Sequence, residues 1–322
     1  MNSAILALQE FVGELPATAE SDNLVDYIAE YLTANGYDPF NVQNASDVLI
    51  IPENAYSQDR TNTTLSFPHA LAVEKKAFWD AELLQTVSIP LATTIGESAF
   101  ESCISLQKVD LPSATYVGKN SYAMCMFATE INAPLLEYVG NGAFQNNNFT
   151  EIDLPSCHTI EEAGFAGSFM LEKLNIPNVR VIGSGAFQDA QPLESVELHD
   201  LQFIGNHAFY DCPNLKSVYI YTDFVAEAEE NVFRQSAMDT PDATSGEIEG
   251  RIYVPGYLVD AYKAADGWSQ YASVITAIPG TELAPAELPA ASVADAGKVL
   301  KVDAEGNWSK GEDSSTIYWQ TF

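Results

Sequence analysis

Ile95-Gly96-Glu97-Ser98-Ala99-Phe100 returns along the chain as Val139-Gly140-Asn141-Gly142-Ala143-Phe144, as Ile182-Gly183-Ser184-Gly185-Ala186-Phe187 and as Ile204-Gly205-Asn206-His207-Ala208-Phe209. The aromatic that ends each copy belongs to a longer series: Phe78, Phe100, Tyr122, Phe144, Phe165, Phe187 and Phe209. Its steps are 22, 22, 22, 21, 22 and 22 residues. A fixed period of this length marks stacked supersecondary units, none of which can bury its apolar face alone. After each aromatic comes a short segment with a constant apolar rhythm: Leu106, Val109, Leu111; Phe149, Ile152, Leu154; Leu171, Leu174, Ile176; Leu193, Val196, Leu198; Leu215, Val218, Ile220. The last two apolar residues of each set bracket one polar residue, the pattern of a short strand with one buried face.

Pro90, Pro112, Pro134, Pro155 and Pro177 close five of these segments. Proline lacks a ladder N–H, so strand pairing stops there and the chain turns. The Gly that follows Ile or Val is expected to permit a tight bend or a positive φ. The aromatic then fills the interior between the strand and the returning arm, and strands of neighbouring coils stack in parallel.

The motif series Ile-Gly, Ala-Phe, often Cys, then Leu-x-x-Val/Ile-x-Leu-Pro resembles the BspA-like class of leucine-rich repeats, over roughly residues 63 to 278. That resemblance implies an α/β repeat solenoid: a right-handed leucine-rich-repeat coil with a parallel sheet on one face, N-terminal helices and a small β tail. Departures are Tyr122 for Phe, Gly164 for the Ala before Phe165, and Ile160-Glu161 without its Gly. After Phe209 the period slips to Phe233, and the acidic stretch Asp239 to Glu249 reads as a loop insertion. Arg251-Ile252-Tyr253-Val254-Pro255 restores a strand, and Gly256 to Trp268 reads as a short covering helix similar to the family's C-terminal cap. A solenoid needs such a cap to shield its last apolar face.

Four regions are expected. Residues 1–60 are an N-terminal helical cap or attachment segment, with Ile5, Leu8, Phe11, Val12 and Leu15 on one helix face and Leu24, Val25, Ile28, Tyr31 and Leu32 on another. Residues 61–278 are the solenoid and its cap. Residues 279–297, rich in Ala, Pro and Glu, are a semi-extended linker. Residues 298–322 are a β-rich tail, with a hairpin across Asp303 to Gly306, too short to support its own core.

The chain has 322 residues with 14 Lys+Arg against 45 Asp+Glu, a formal net charge of −31. Such a charge repels phosphate backbones and anionic headgroups, which sets nucleic acid and membrane surfaces aside as primary partners. The opening residues have no positively charged n-region, unlike a secretory signal, and no apolar run approaches the ~20 residues of a membrane span.

Cys103, Cys125 and Cys212 each lie three residues after their coil's aromatic. Cys157 lies in the slot that Ala92, Leu136, Val179 and Leu201 fill elsewhere. All four are expected in the core as small hydrophobes, although Cys103 and Cys125 on adjacent coils remain candidates for a bridge. His69, His158, His199 and His207 show no metal-ligand spacing, and His207 is expected on the arm surface. Gly183-Ser184-Gly185 lies inside the repeat and is assigned to turn geometry rather than to a phosphate loop. No catalytic residues, metal site or cofactor are expected, and the chain is read as non-enzymatic.

Binding is expected on the outward position of each strand: Asp110, Asn132, Asp153, Asn175, Glu197 and Tyr219, preceded by Ser88, with Tyr221 beside the last. The flanking rows are Gln85, Gln107, Thr129, Thr150, Glu172, Glu194 and Lys216, and Thr86, Lys108, Glu130, Glu151, Lys173, Ser195 and Ser217. Strands ~4.8 Å apart make these a continuous polar surface, suited to a protein or glycan on a host cell. In the tail, Val299, Leu300, Val302, Trp308, Ile317, Tyr318, Trp319 and Phe322 are candidates for oligomerisation, a trimer first, or for docking on the solenoid or on a virion scaffold protein. Asp295 to Trp308 resembles short segments of bacteriophage fibre and decoration proteins, which implies a place in a virion. The role usually attached to BspA-like repeats implies the alternative, a bacterial surface adhesin.

Overall fold

The computed structural model describes residues 49–241, 245–282, 299–302 and 308–311. The repeat coils into a parallel solenoid with strands on two of its sides. On one side the Ile/Val-Gly segments form a nine-stranded parallel sheet of two-residue strands, from Ile50–Ile51 through Thr94–Ile95 and Val181–Ile182 to Glu227–Ala228. On the other side run the longer strands that carry the Leu-x-x-Val/Ile rhythm. The expected solenoid is therefore present, with the Ile-Gly turn itself drawn out into a second and more continuous ladder.

Between the two strand rows the arm is also bonded from coil to coil. Lys76, Phe78 and Asp80 donate their amides to the carbonyls of Glu97, Ala99 and Glu101 at 2.9, 2.7 and 2.8 Å, and later coils repeat the set. Backbone polarity is thus satisfied along the whole coil and not only in its strands.

The aromatic series forms one interior column. It begins a coil earlier than the sequence suggested, with Tyr56 on Phe78, and ends a coil later, with Phe233 on Phe209. Neighbouring rings sit 4.6 to 5.8 Å apart with planes within 12°. Because Ile50–Ile51 pairs with Ala72–Val73 and Tyr56 heads the column, the stack is already under way before residue 61. Offset stacking of this kind adds about 0.5–1.5 kcal/mol per pair to simple burial.

Three residues after the aromatic, side chains bond backbone carbonyls inside the coil. Cys103, Cys125 and Cys212 point Sγ at the carbonyls of Phe78, Phe100 and Phe187 at 3.1, 3.2 and 3.4 Å. Asn147 reaches the Tyr122 and Phe144 carbonyls, and Ser168 and Ser236 bond the carbonyl of their own aromatic. All four thiols are buried and free, Cys103 and Cys125 included. Burial pushes Cys103, Cys157 and Cys212 up to about 12 and Cys125 well above its ordinary range.

The glycine of the Ile/Val-Gly motif corrects the sequence expectation. Gly96, Gly140, Gly183 and Gly205 do not have positive φ. A Cβ on Gly183 would stand 2.4 Å from Glu162 N and 2.5 Å from Glu161 C, backbone atoms of the preceding coil. The glycine is there so that two backbones can touch. The left-handed conformations fall instead two residues before and two residues after the aromatic: Ser98 and Ser102, Asn120 and Met124, Gly142 and Asn146, Gly185 and Asp189, His207 and Asp211. His207 is correspondingly not a free surface residue. It is half-buried at φ 60°, its ring lies edge-on to Tyr210, and its Nε2 is enclosed.

The last coil is closed by aromatics of the cap, which runs through helix α1, Val259–Ala264. Trp268 Nε1 donates to the Ala226 carbonyl at 2.7 Å, while the hydroxyls of Tyr262 and Tyr271 accept from the amides of Ala226 and Phe233 at 3.1 and 2.9 Å. These side chains replace the backbone partners that a further coil would supply. The strand Ile275–Ile278 then pairs with Arg251–Pro255, and Thr281 Oγ1 and its carbonyl accept from the amides of Gly256 and Tyr257. In the tail, Val299–Val302 and Trp308–Gly311 pair antiparallel, Val302 opposite Trp308, as the expected hairpin. The expected N-terminal helices and residues 283–297 of the expected linker, with Ile317, Tyr318, Trp319 and Phe322, lie outside the described residues, whereas Thr281, assigned to the linker, is bonded to the cap.

Candidate ligand-binding face

The outward row is a true row. Parallel registers place Ser66 beside Ser88, Asp110 beside Asn132, Asp153 beside Asn175, and Glu197 beside Tyr219 beside Tyr253. Asp110, Asn132, Asp153, Asn175 and Glu197 are exposed, and Tyr219 is half-buried. Val109, Ile152, Val196 and Val218 alternate with them and point into the core, which is why so short a strand holds its register.

This side is not one sheet. The strands pair in twos, Thr64–Ser66 with Thr86–Ser88, Lys108–Asp110 with Glu130–Asn132, and Glu151–Asp153 with Lys173–Asn175. Only the last group, from Ser195–Leu198 onward, continues through four strands. Within the pairs, polar groups satisfy each other. Asn132 Nδ2 donates to Asp110 Oδ1 at 2.6 Å and Asn175 Nδ2 to Asp153 Oδ1 at 2.7 Å. Lys108 lies 3.9 Å from Glu130 and Lys173 3.4 Å from Glu151. Exposed pairs of this kind add about 0–1 kcal/mol each, so they set side-chain direction more than stability.

Where pairing lapses, shallow clefts open. One lies between the strands carrying Asn132 and Asp153. Another lies between those carrying Asn175 and Glu197, and His199 forms part of its wall.

The C-terminal group differs in chemistry. Glu197 has a tyrosine rather than an amide as its in-register neighbour, and its carboxylate lies 3.7 Å from His199 Nε2. Tyr219 stacks on Tyr253 at 4.5 Å, Tyr221 lies 6.2 Å from Tyr219, and His199 stacks on Tyr221 at 4.5 Å, all within 11° of parallel. Burial, then the nearby Glu197 carboxylate, raises the Tyr221 phenol above its ordinary value. Sequence inspection found Tyr219 and Tyr221 but missed His199 and Tyr253 as their companions. The signal was present: His199 precedes Tyr221 by one period, and Tyr253 restores the strand after the insertion.

A second face was missed altogether. On the nine-stranded side, Tyr116, Tyr138, Thr159, Val181 and Phe203 share the outward row. Tyr116 stacks on Tyr138 at 5.1 Å, and the Tyr138 hydroxyl bonds Glu161. Among the described residues no cluster of three or more His, Cys, Asp or Glu is arranged to hold a metal ion, and no helix is long and apolar enough to cross a membrane.

The sequence profile of the BspA type leucine rich repeat region matches the chain in six copies, over residues 49–162 and 115–240. Among solved structures, a leucine-rich repeat protein from Bacteroides ovatus is 17% identical with a TM-score of 0.43. The match covers 60% of this chain and 63% of that one. A leucine rich cell surface protein from Faecalibacterium prausnitzii is 17% identical with a TM-score of 0.45, covering 72% and 83%. The leucine rich repeat protein of T. pallidum is 19% identical at a TM-score of 0.37, covering 59% and 87%. The chain thus spans less than two thirds of the first of these structures. No curated protein matches it.

Proposed function

This chain belongs to the BspA-type leucine-rich repeat family, and we propose that it is a non-enzymatic interaction module that binds a host cell surface through the outward row of its longer strands. The observation that carries this is the cluster at the C-terminal end of that row. Glu197, Tyr219 and Tyr253 are held on paired strands, and His199 and Tyr221 directly follow the strand ends at Leu198 and Ile220, with their aromatic rings placed on an otherwise polar surface. Aromatic side chains lose little entropy on contact and dominate the energetics of recognition sites.

We further propose that the module is carried by a bacteriophage particle, as a fibre, receptor-binding or decoration protein. The support is the resemblance of Asp295 to Trp308 to short segments of such proteins. The hairpin pairing Val299–Val302 with Trp308–Gly311 agrees with a small β tail suited to assembly with other copies or a scaffold protein. The alternative carrier is the surface of a bacterium, the role the family resemblance implies.

Two measurements test the proposal. Fluorescently labelled full-length chain should bind intact bacterial cells, and a Tyr219→Ala/Tyr221→Ala double variant should lose that binding. Unchanged binding by the variant would refute the assigned face. Mass spectrometry of purified phage particles should find the chain. Its presence in bacterial envelope fractions instead would favour the adhesin.

A further inference from the structure

From the cleft between the strands of Asn175 and Glu197 and the aromatic cluster beside it, we propose that this end of the solenoid binds a neutral glycan. This deepens the interaction-module reading and rests on it. The chemistry of the cleft fits hydroxyls. Asn175 spends one N–H on Asp153, which leaves its second N–H and its carbonyl oxygen to bond a sugar as donor and acceptor. Glu197, one coil on, is an exposed carboxylate whose paired in-register partner is Tyr219 rather than an amide, and an ionised carboxylate accepts two hydroxyl hydrogens with charge-assisted strength.

The aromatic cluster supplies the other half of sugar recognition. The C–H groups on one side of a pyranose carry partial positive charge and pack against the negative faces and rims of aromatic rings. Tyr221 is exposed, stacks on His199 of the preceding coil at 4.5 Å and has Tyr219 at 6.2 Å along its own coil. Its orientation is therefore fixed before any ligand arrives, which lowers the ordering cost of binding. His199 joins the two parts, because it lines the cleft on one side and stacks on Tyr221 on the other.

Charge then selects the glycan. With 45 Asp+Glu against 14 Lys+Arg, and with Glu172 and Glu197 in the cleft against the single Lys173, itself 3.4 Å from Glu151, a sulfated or sialylated chain is repelled. A protein partner is the weaker fit. The centres of protein interfaces are depleted of charge, whereas this cleft is lined by Glu172, Lys173 and Glu197 beside Asn175.

The test is affinity electrophoresis of the full chain through gels containing soluble starch, mixed-linkage β-glucan, arabinoxylan or galactomannan, with heparin as the anionic control. At least one neutral polysaccharide should retard the chain, heparin should not, and Tyr221→Ala and Glu197→Gln should each weaken retardation tenfold or more. Both side chains are exposed, so the variants should keep the wild-type circular dichroism and melting temperature. No retardation by any neutral polysaccharide, equal retardation by heparin, or unchanged retardation in both variants would overturn the proposal. A parallel assay on bacterial cells separates the two levels. Binding that survives periodate oxidation of the cells but is lost on proteinase treatment overturns the glycan and keeps the interaction module. Retardation by a polysaccharide without any cell binding supports the glycan and removes the cell-surface role.

Discussion

Replacing Gly183 and Gly185 by alanine, one at a time, separates two explanations of the glycines in this repeat. A Cβ on Gly183 would meet Glu162 N at 2.4 Å and the Glu161 carbonyl carbon at 2.5 Å, about 1 Å inside ordinary contact. Both atoms are backbone, so relief requires the two coils to separate. That separation strains the bonds that join them there: Gly183 N to the Ile160 carbonyl at 2.7 Å, Phe165 N to the Ala186 carbonyl at 2.8 Å and Ala163 N to the Ser184 carbonyl at 2.9 Å. It also opens the 5.6 Å contact between Phe165 and Phe187. Overpacking a rigid site costs about 1–3 kcal/mol, and this site has little slack, so Gly183→Ala should cost roughly 3 kcal/mol. Gly185 is the reverse case: φ is +63°, yet the nearest atom to a new Cβ is Gln188 Oε1 at 3.5 Å. Only the left-handed penalty of about 1–2 kcal/mol remains. The coils on either side carry Ala163 and His207 at the same left-handed position, which shows that the fold tolerates side chains there. Urea unfolding of the full chain, followed by circular dichroism, should rank Gly183→Ala as clearly the more destabilising. A larger loss for Gly185→Ala, or losses below about 0.5 kcal/mol for both, would refute close coil contact as the reason for the motif glycine.

Phe144 is fully buried between Tyr122 at 5.5 Å and Phe165 at 5.0 Å. Phe144→Ala should cost about 3–5 kcal/mol, and hydrogen exchange should localise the loss to its own and adjacent coils. The four thiols should resist Ellman's reagent until the chain unfolds. Rapid native labelling of all four would contradict their placement. Because burial raises Cys103, Cys157 and Cys212 from 9.0 to about 12, the folded state holds these protons longer than the unfolded state does. Their contribution should be intact below about pH 9 and lost as pH rises towards 12. Urea midpoints from pH 8 to pH 11 check this, and Cys103→Ala/Cys212→Ala should flatten the decline. Truncation after Glu282, which keeps the bonds of Thr281 to Gly256 and Tyr257, should leave a folded monomer while the full chain assembles into larger species. Light scattering that gives both forms the monomer mass would remove the assembly role of the tail.

The coil was legible because its strongest signals are local and repeated. An aromatic at constant spacing, with Leu-x-x-Val/Ile-x-Leu after it, survives the substitutions at Tyr122 and Gly164. The ends were less legible because the period is masked there. Tyr56 lies one repeat before Phe78, but Pro52-Glu53 replaces the Gly-x that would have announced its coil. The role of Gly183 was misassigned because a glycine needed for φ and one needed for contact look the same in sequence, and only the position of the preceding coil tells them apart. The binding face was half legible for a related reason. Strand alternation identifies outward residues, but His199 stacks on Tyr221 across coils, and the lapses in pairing that create the clefts leave no mark in composition.

The distribution of charge along the outward row explains why recognition should concentrate at one end. In-register neighbours on adjacent coils are only ~4.8 Å apart. Two carboxylates at that spacing repel by roughly 1 kcal/mol in water and several times more near a protein surface. The row avoids this by alternation: Asp110 is followed by Asn132, and Asp153 by Asn175, each acid accepting an N–H from the amide above it. This arrangement makes an acidic chain stackable, but it also uses much of the hydrogen-bonding capacity of the row internally. At Glu197 the alternation changes. Tyr219 takes the amide's place, a ring avoids the repulsion without donating to the carboxylate from the backbone-proximal side, and Glu197 keeps its acceptor capacity facing solvent. The same substitution that solves the stacking problem therefore places an available carboxylate beside an aromatic surface, and only in the C-terminal group are both present together.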